Sequence, residues 1–176
     1  GDRRVFGEER NNSNGNLAKS KYLWNLTQLA KDGQISPVAE IEPETEKIVR
    51  VLSSPAKKNP VLVDEFSGKS QMILGNLAFN LLSENGAGNL RGKNVFKIDT
   101  AAIMADAKSQ ARAEARFLNV LEQIKAAKGN HILFIEDMTA FAKENPMFGG
   151  EVAKSLRQAI IDGKIQILTT GTNESY

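Results

Sequence analysis

Apolar positions along this chain fall into two kinds of run that alternate. Val61–Val63, Val95–Ile98, Ile132–Ile135 and Ile165–Leu168 are short and rich in β-branched residues, as buried strands are. Between them apolar residues recur at helical spacing. Leu23, Leu26 and Leu29 predict a short amphipathic helix ended by Gly33, and 34–41 reads as extended. Pro43 suits a first helical turn, with Ile48, Val49, Val51 and Leu52 on the apolar face up to Pro55. Met72, Ile73, Leu77, Leu81 and Leu82 predict the next helix, which fades over 83–88. An alanine-rich stretch, Thr100–Lys128, carries Phe117, Leu118, Leu121 and Ile124 as a stripe and stops at Gly129. Met138–Phe148 predicts a short helix and then a loop, and Val152, Leu156 and Ile160 a last helix ended by Gly163.

Strands that alternate with helices predict an α/β fold: a parallel sheet of at least four strands with helices on both faces, a three-layer sandwich. Residues 1–20 are polar and rich in Asn and Gly and read as a linker, leaving 21–176 as one domain. In such sheets ligands bind at the carboxyl ends of the strands. Here those ends carry Asp64–Ser70, Asp99, Glu136-Asp137 and Thr170–Asn173.

The 176-residue length suits one domain with a substantial core. A net charge of +2 from 23 basic and 21 acidic residues gives no nucleic-acid signature. The absence of cysteine excludes disulfides, thiolate catalysis and a cysteine-based zinc site. No apolar run reaches spanning length and no signal-peptide core opens the chain, so the expectation is a cytoplasmic protein without a membrane partner.

The chemistry concentrates after the first of the four strands. Val61–Val63, a turn containing Gly68-Lys69-Ser70, and the following helix form the strand–turn–helix context of a phosphate-binding loop. Amides at the helix start hold phosphate oxygens, Lys69 reaches the outer phosphates and the Ser70 hydroxyl ligates magnesium. Against the usual G-x-x-x-x-G-K-S/T, Val63 replaces the first glycine, and Asp64 and Glu65 bring two carboxylates to the approach. Like charge there opposes a polyphosphate.

Leu26–Val38 (LTQLAKDGQISPV), Val51–Val63 (VLSSPAKKNPVLV), Asn89–Asp99 (NLRGKNVFKID), Ile132–Asp137 (ILFIED) and Gly163–Tyr176 (GKIQILTTGTNESY) together resemble the first nucleotide-binding domain of Clp/ClpB-type AAA+ ATPases. These are ring-forming unfoldases and disaggregases. The resemblance implies a P-loop NTPase (AAA+) core that stops before the helical lid, with the first strand beside the fourth, then the third, then the second. It implies ATP and magnesium as cofactors, protein partners and a ring homo-oligomer through the full-length parent.

Residue by residue, the family's G-E-P-G-V-G-K-T corresponds to D-E-F-S-G-K-S, one residue shorter, with Gly68, Lys69 and Ser70 equivalent. The family's Asp-Glu pair is reversed: Glu136 takes the magnesium place and Asp137 the place of the water-activating glutamate. Each carboxylate is thereby displaced by one methylene, and in-line attack is sensitive to misplacement of about 1 Å. The sensor threonine falls on Gly171, between Thr170 and Thr172, and the segment near the adenine reads Val38-Ala39-Glu40-Ile41. The pore loop A-K-Y-R-G becomes Ala107-Lys108-Ser109-Gln110-Ala111 and loses its aromatic.

Two functional readings stand side by side. One is an ATP-binding module with degenerate motifs and impaired hydrolysis; the other is a nucleotide-independent pseudo-ATPase scaffold or interaction domain. Helix-favouring residues over Asp106–Arg116 predict a helix across much of that segment and no threading of polypeptide. Asp99 is expected to cap the following helix, His131, Trp24 and Phe117 to pack structurally, and Arg112, Glu114 and Arg116 to form a solvated face.

Overall fold

The computed structural model describes residues 21–54, 61–63, 69–83, 88–127, 131–135 and 150–170. Strand β1 (Leu23–Asn25) leads directly into helix α1 (Leu26–Lys31), and a 3-10 turn (Ala39–Ile41) into α2 (Glu42–Ser53). Strand β2 (Val61–Val63) precedes α3 (Ser70–Leu82), and a second 3-10 turn (Gly88–Leu90) precedes β3 (Asn94–Ile98). Then come α4 (Thr100–Asp106), α5 (Gln110–Ala126), β4 (His131–Ile135), α6 (Gly150–Ile161) and β5 (Ile165–Thr170).

The sheet order is β1-β3-β4-β5-β2. β2, β5, β4 and β3 run parallel, in the order expected for the four apolar strands, and β1 closes the far edge antiparallel to β3. Side chains alternate between the faces, as the pleat requires. Val95, Ile132, Phe134 and Leu168 pack with α1, α2 and α3. Phe96, Ile98, Leu133, Ile135, Ile165 and Ile167 pack with α4, α5 and α6. Burial on both faces explains why β4 is apolar at nearly every position.

Two expectations are corrected. Leu23 is not helical: residues 23–25 form β1 and the helix starts at Leu26. Leu23 and Trp24 are buried on opposite faces of the sheet, which only an extended backbone allows. The Asn25 side chain then caps α1 by accepting from the Gln28 N–H at 3.1 Å, and Gly33, at φ 79°, follows its end as expected.

The run from Thr100 to Lys128 is likewise two helices rather than one. It breaks at Ala107–Ser109, where Ala107 and Ser109 have extended backbones. Ser109 Oγ accepts from the Arg112 N–H at 3.2 Å, so a capping residue restarts the helix against the propensity of its neighbours. Helix does cover Gln110–Arg116, in keeping with most of that expectation. The linker 1–20 and the helix expected within Met138–Phe148 lie outside the described residues.

Candidate functional site

The four parallel strands end nearly level. Val63 stands beside Thr170, Ile135 beside Thr169 and Ile98 beside Ile135. The candidate residues of 64–70, 99, 136–137 and 170–173 lie at or directly after these strand ends in sequence. Asp99, just past β3, caps α4 by accepting from the Ala102 N–H at 3.0 Å, as its position predicted.

Helix α3 is the anchor. Ile73, Leu74, Leu77, Ala78 and Leu81 are buried, so the body of the helix is fixed in the core. Lys69 stands at the cap position, its carbonyl accepting from the Ile73 N–H at 2.9 Å, and Ser70 is the first helical residue. Both are partly exposed. The positive end of the helix dipole coincides with the Lys69 cation, which fits a phosphate. Next to them the Gln71 Oε1 is shielded from solvent and accepts no hydrogen bond from the described residues. A buried orphan oxygen suits a cation or a hydroxyl donor and opposes a second anion. The helix start and the Lys69 cation thus suit a phosphate.

A polar group in the apolar body of α3 escaped the sequence reading. Asn76 is 1% exposed. Its Oδ1 accepts from the Val38 N–H at 2.7 Å, and its Nδ2 donates to the Val38 carbonyl at 2.7 Å and to Glu42 Oε2 at 2.9 Å. Asn80, one turn later, donates to Glu42 Oε1 at 2.8 Å. This network ties 38–42 to the helix that starts at Ser70. The available signal was an asparagine inside an apolar helix, where it needs buried partners.

Beyond the sheet edge, the corner 107–109 is tethered to the start of the domain. Lys21 Nζ lies 2.8 Å from Asp106 Oδ2, which also accepts from the Tyr22 hydroxyl at 3.0 Å; Arg116 in turn donates to that hydroxyl at 3.3 Å. The hydrogen bond from Lys21 and then that from Tyr22 hold the Asp106 carboxyl below its ordinary range. The bond to Asp106 raises Lys21. Arg116 therefore does more than decorate a solvated face. His131 is buried with its ring edge-on to Phe96, centroids 5.1 Å apart, consistent with a structural place.

Of the residues singled out for chemistry, Lys69 and Ser70 open the helix that follows β2 in sequence, and Thr170 is the last residue of β5, beside Val63 at the end of β2. Val38 and Ala39 lie against the side of α3, through the Asn76 bonds and the turn at 39–41. Gly68, Glu136, Asp137 and Thr172 lie outside the described residues. Among the described residues no three acidic or histidine side chains gather as a metal site, and no helix is long and apolar enough to cross a membrane.

No protein-family model matches the chain. It is 32% identical over 181 residues to the chaperone protein ClpB of Propionibacterium freudenreichii, covering 100% of this chain and 20% of that protein. ClpB of Porphyromonas gingivalis is 30% identical over 160 residues, covering 90% of this chain and 18% of that protein. The chain therefore spans about a fifth of these relatives. Among solved structures, Hsp104 with ATPγS and casein superposes with a TM-score of 0.75 at 29% identity, over 89% of this chain and 27% of that one. An ADP complex of S. cerevisiae Hsp104 gives 0.72 at the same identity, over 89% and 26%. Over most of its length the chain is homologous to the ClpB/Hsp104 AAA+ chaperones, and its mixed α/β sheet matches the AAA domain fold of Hsp104.

Proposed function

We propose that this chain is a weakened nucleotide-binding module of a ClpB/Hsp104-type chaperone. The observation that carries this reading is the start of α3: Lys69 and Ser70 open a thirteen-residue helix, anchored in the core by Ile73, Leu74, Leu77, Ala78 and Leu81, that follows parallel strand β2 in sequence. Homologous Hsp104 has been solved with ATPγS and with ADP, which supports nucleotide as the ligand class. Gly68 and the first amides of α3 would cradle a phosphate, Lys69 would meet its outer oxygens, and Val38 and Ala39 would lie on the base side. Thr170 and Thr172 would flank the outer phosphate. Magnesium, when bound, supplies positive charge to the outer phosphates; Ser70 and Glu136 are the residues to hold it, and the orphan Gln71 oxygen fits a cation nearby.

Turnover is impaired in this reading. Asp137 is the residue to orient a water, but it stands where a longer carboxylate belongs, and Asp64 and Glu65 oppose the polyphosphate. The nucleotide-independent scaffold is the second reading, favoured by the same shortened loop and reversed acidic pair. Protein partners, a ring homo-oligomer through the full-length parent and a cytoplasmic setting are part of this proposal; that homologous Hsp104 was solved with casein supports a protein partner. Without an aromatic at 107–111, specific threading of polypeptide is not part of the reading.

Phosphate release with and without magnesium tests the claim. The expected result is turnover at background, unchanged in Asp137→Asn. Steady release abolished by Asp137→Asn would overturn the impairment.

A further inference from the structure

We propose that Asn76 is a positioning residue that deprives the base side of the site of its main-chain reading groups, so that the module holds phosphate with little choice of base. The proposal rests on the nucleotide reading above and deepens it. The carrying observation is geometric: both main-chain groups of Val38, its N–H and its carbonyl, are bonded to one side-chain amide at 2.7 Å. Asn76 is 1% exposed and Val38 half-buried, so a ligand arriving at the surface meets main-chain groups that are already bonded from the core side.

The chemistry of the amide sharpens the point. A main-chain N–H and C=O side by side form a donor–acceptor pair that suits the acceptor N1 and donor N6 of adenine. A carboxamide presents the same acceptor–donor pair, which is why asparagine and adenine edges pair well. Asn76 therefore occupies from within the place an adenine edge would need at Val38. Sites built to hydrogen-bond a ligand's polar edge discriminate strongly against analogues lacking it, whereas apolar contact alone discriminates weakly. With Val38 satisfied internally, a base gains only packing against Val38 and Ala39.

The bracket is also stiff. Glu42 receives Asn76 on one oxygen and Asn80 on the other, both from α3, and Glu42 sits in the first turn of α2. The Ile41 N–H bonds the Val38 carbonyl at 3.3 Å as a further partner. Residues 38–42 and the helix that starts at Ser70 thus move as one body. Asn76 lies six residues beyond Ser70, about 9 Å along the helix, a span a nucleotide can bridge from phosphate to base.

The test combines calorimetry with site-resolved amide exchange on the chain as it stands. ATP, GTP and inorganic tripolyphosphate are expected to bind wild type within about threefold of one another. In the same protein the Val38 amide is expected to be protected, and Asn76→Leu should raise its exchange at least tenfold, on the order expected for local opening. Amides of Leu133 and Phe134 in the central strand should stay protected in that variant, separating loss of the bracket from global unfolding. ATP binding about tenfold or more tighter than GTP overturns the proposal, and so does a Val38 amide that exchanges freely in wild type. Absence of heat with all three ligands while Val38 stays protected defeats the nucleotide reading and, with it, the claim about bases. The two failures are thus distinguishable.

Discussion

Gly75 lies in the middle of α3, and substituting alanine there sets two effects of opposite sign against each other. In a helix interior alanine is favoured over glycine by about 1 kcal/mol. Yet a Cβ built at Gly75 meets the Ile35 Cγ2 at 3.0 Å, where carbon atoms prefer about 3.5–4.0 Å. Overpacking of this kind costs about 1–3 kcal/mol, and the sign depends on whether Ile35 can retreat. Its segment is pinned on both sides. The Gln34 N–H bonds the Leu29 carbonyl at 2.9 Å, and Val38 is held by Asn76. Ile35 is itself buried. The cost therefore falls in the upper part of the range, and Gly75→Ala should destabilise by about 1–2 kcal/mol net. That lowers the melting temperature by roughly 2–8 °C for a domain of this size. Urea denaturation of both single variants and the double variant with Ile35→Ala measures the coupling. In the Ile35→Ala background Gly75→Ala should be neutral or stabilising by about 1 kcal/mol. Equal stabilisation in both backgrounds would refute the steric argument.

Phe134→Ala, which empties a fully buried position of the central strand, should cost about 3–5 kcal/mol in the same assay. Ser109→Ala should lose the cap of α5 and cost about 1 kcal/mol, with faster amide exchange at Arg112 as its local signature. Asp106 and Lys21 set the pH behaviour of the exposed corner. The Asp106 pKa is depressed below its ordinary 3.8, so its contribution is present above that value and lost as pH falls through the folded-state pKa. Lys21 is raised above its ordinary 10.5, so its contribution is complete below that value and lost as pH rises through the folded-state pKa. Both side chains meet solvent, so the effect is small and screened by salt. Asp106→Asn should flatten the acid limb of a stability–pH curve below about pH 4 and leave the neutral plateau nearly unchanged.

What the sequence made legible follows from repetition. The four parallel strands and the main helices rest on apolar runs several residues long, each decided mostly by its own composition, whereas the strand order rested on the family resemblance. The features it hid are set by distant partners. Leu23-Trp24-Asn25 is too short to declare itself, and pairing with Phe96–Ile98 makes it a strand. The helix break at 107–109 turns on one serine cap and on the pull of Lys21 and Tyr22 on Asp106. The helix start at Ser70 was legible because the tripeptide stands between an apolar strand and a run of apolar residues at helical spacing. Asn76 was not, because its meaning lies in Val38 and Glu42, 38 and 34 residues away.

The most direct test of the central claim, a weak phosphate site at the start of α3, is an amide chemical-shift titration with ATP and magnesium on wild type and on Lys69→Ala. The account predicts saturable shifts at Ser70 and Gln71 with a dissociation constant of about 0.1–1 mM, lost in Lys69→Ala. Shifts confined to surface lysines such as Lys47 and Lys154, or shifts at Ser70 that survive Lys69→Ala unchanged, would contradict it.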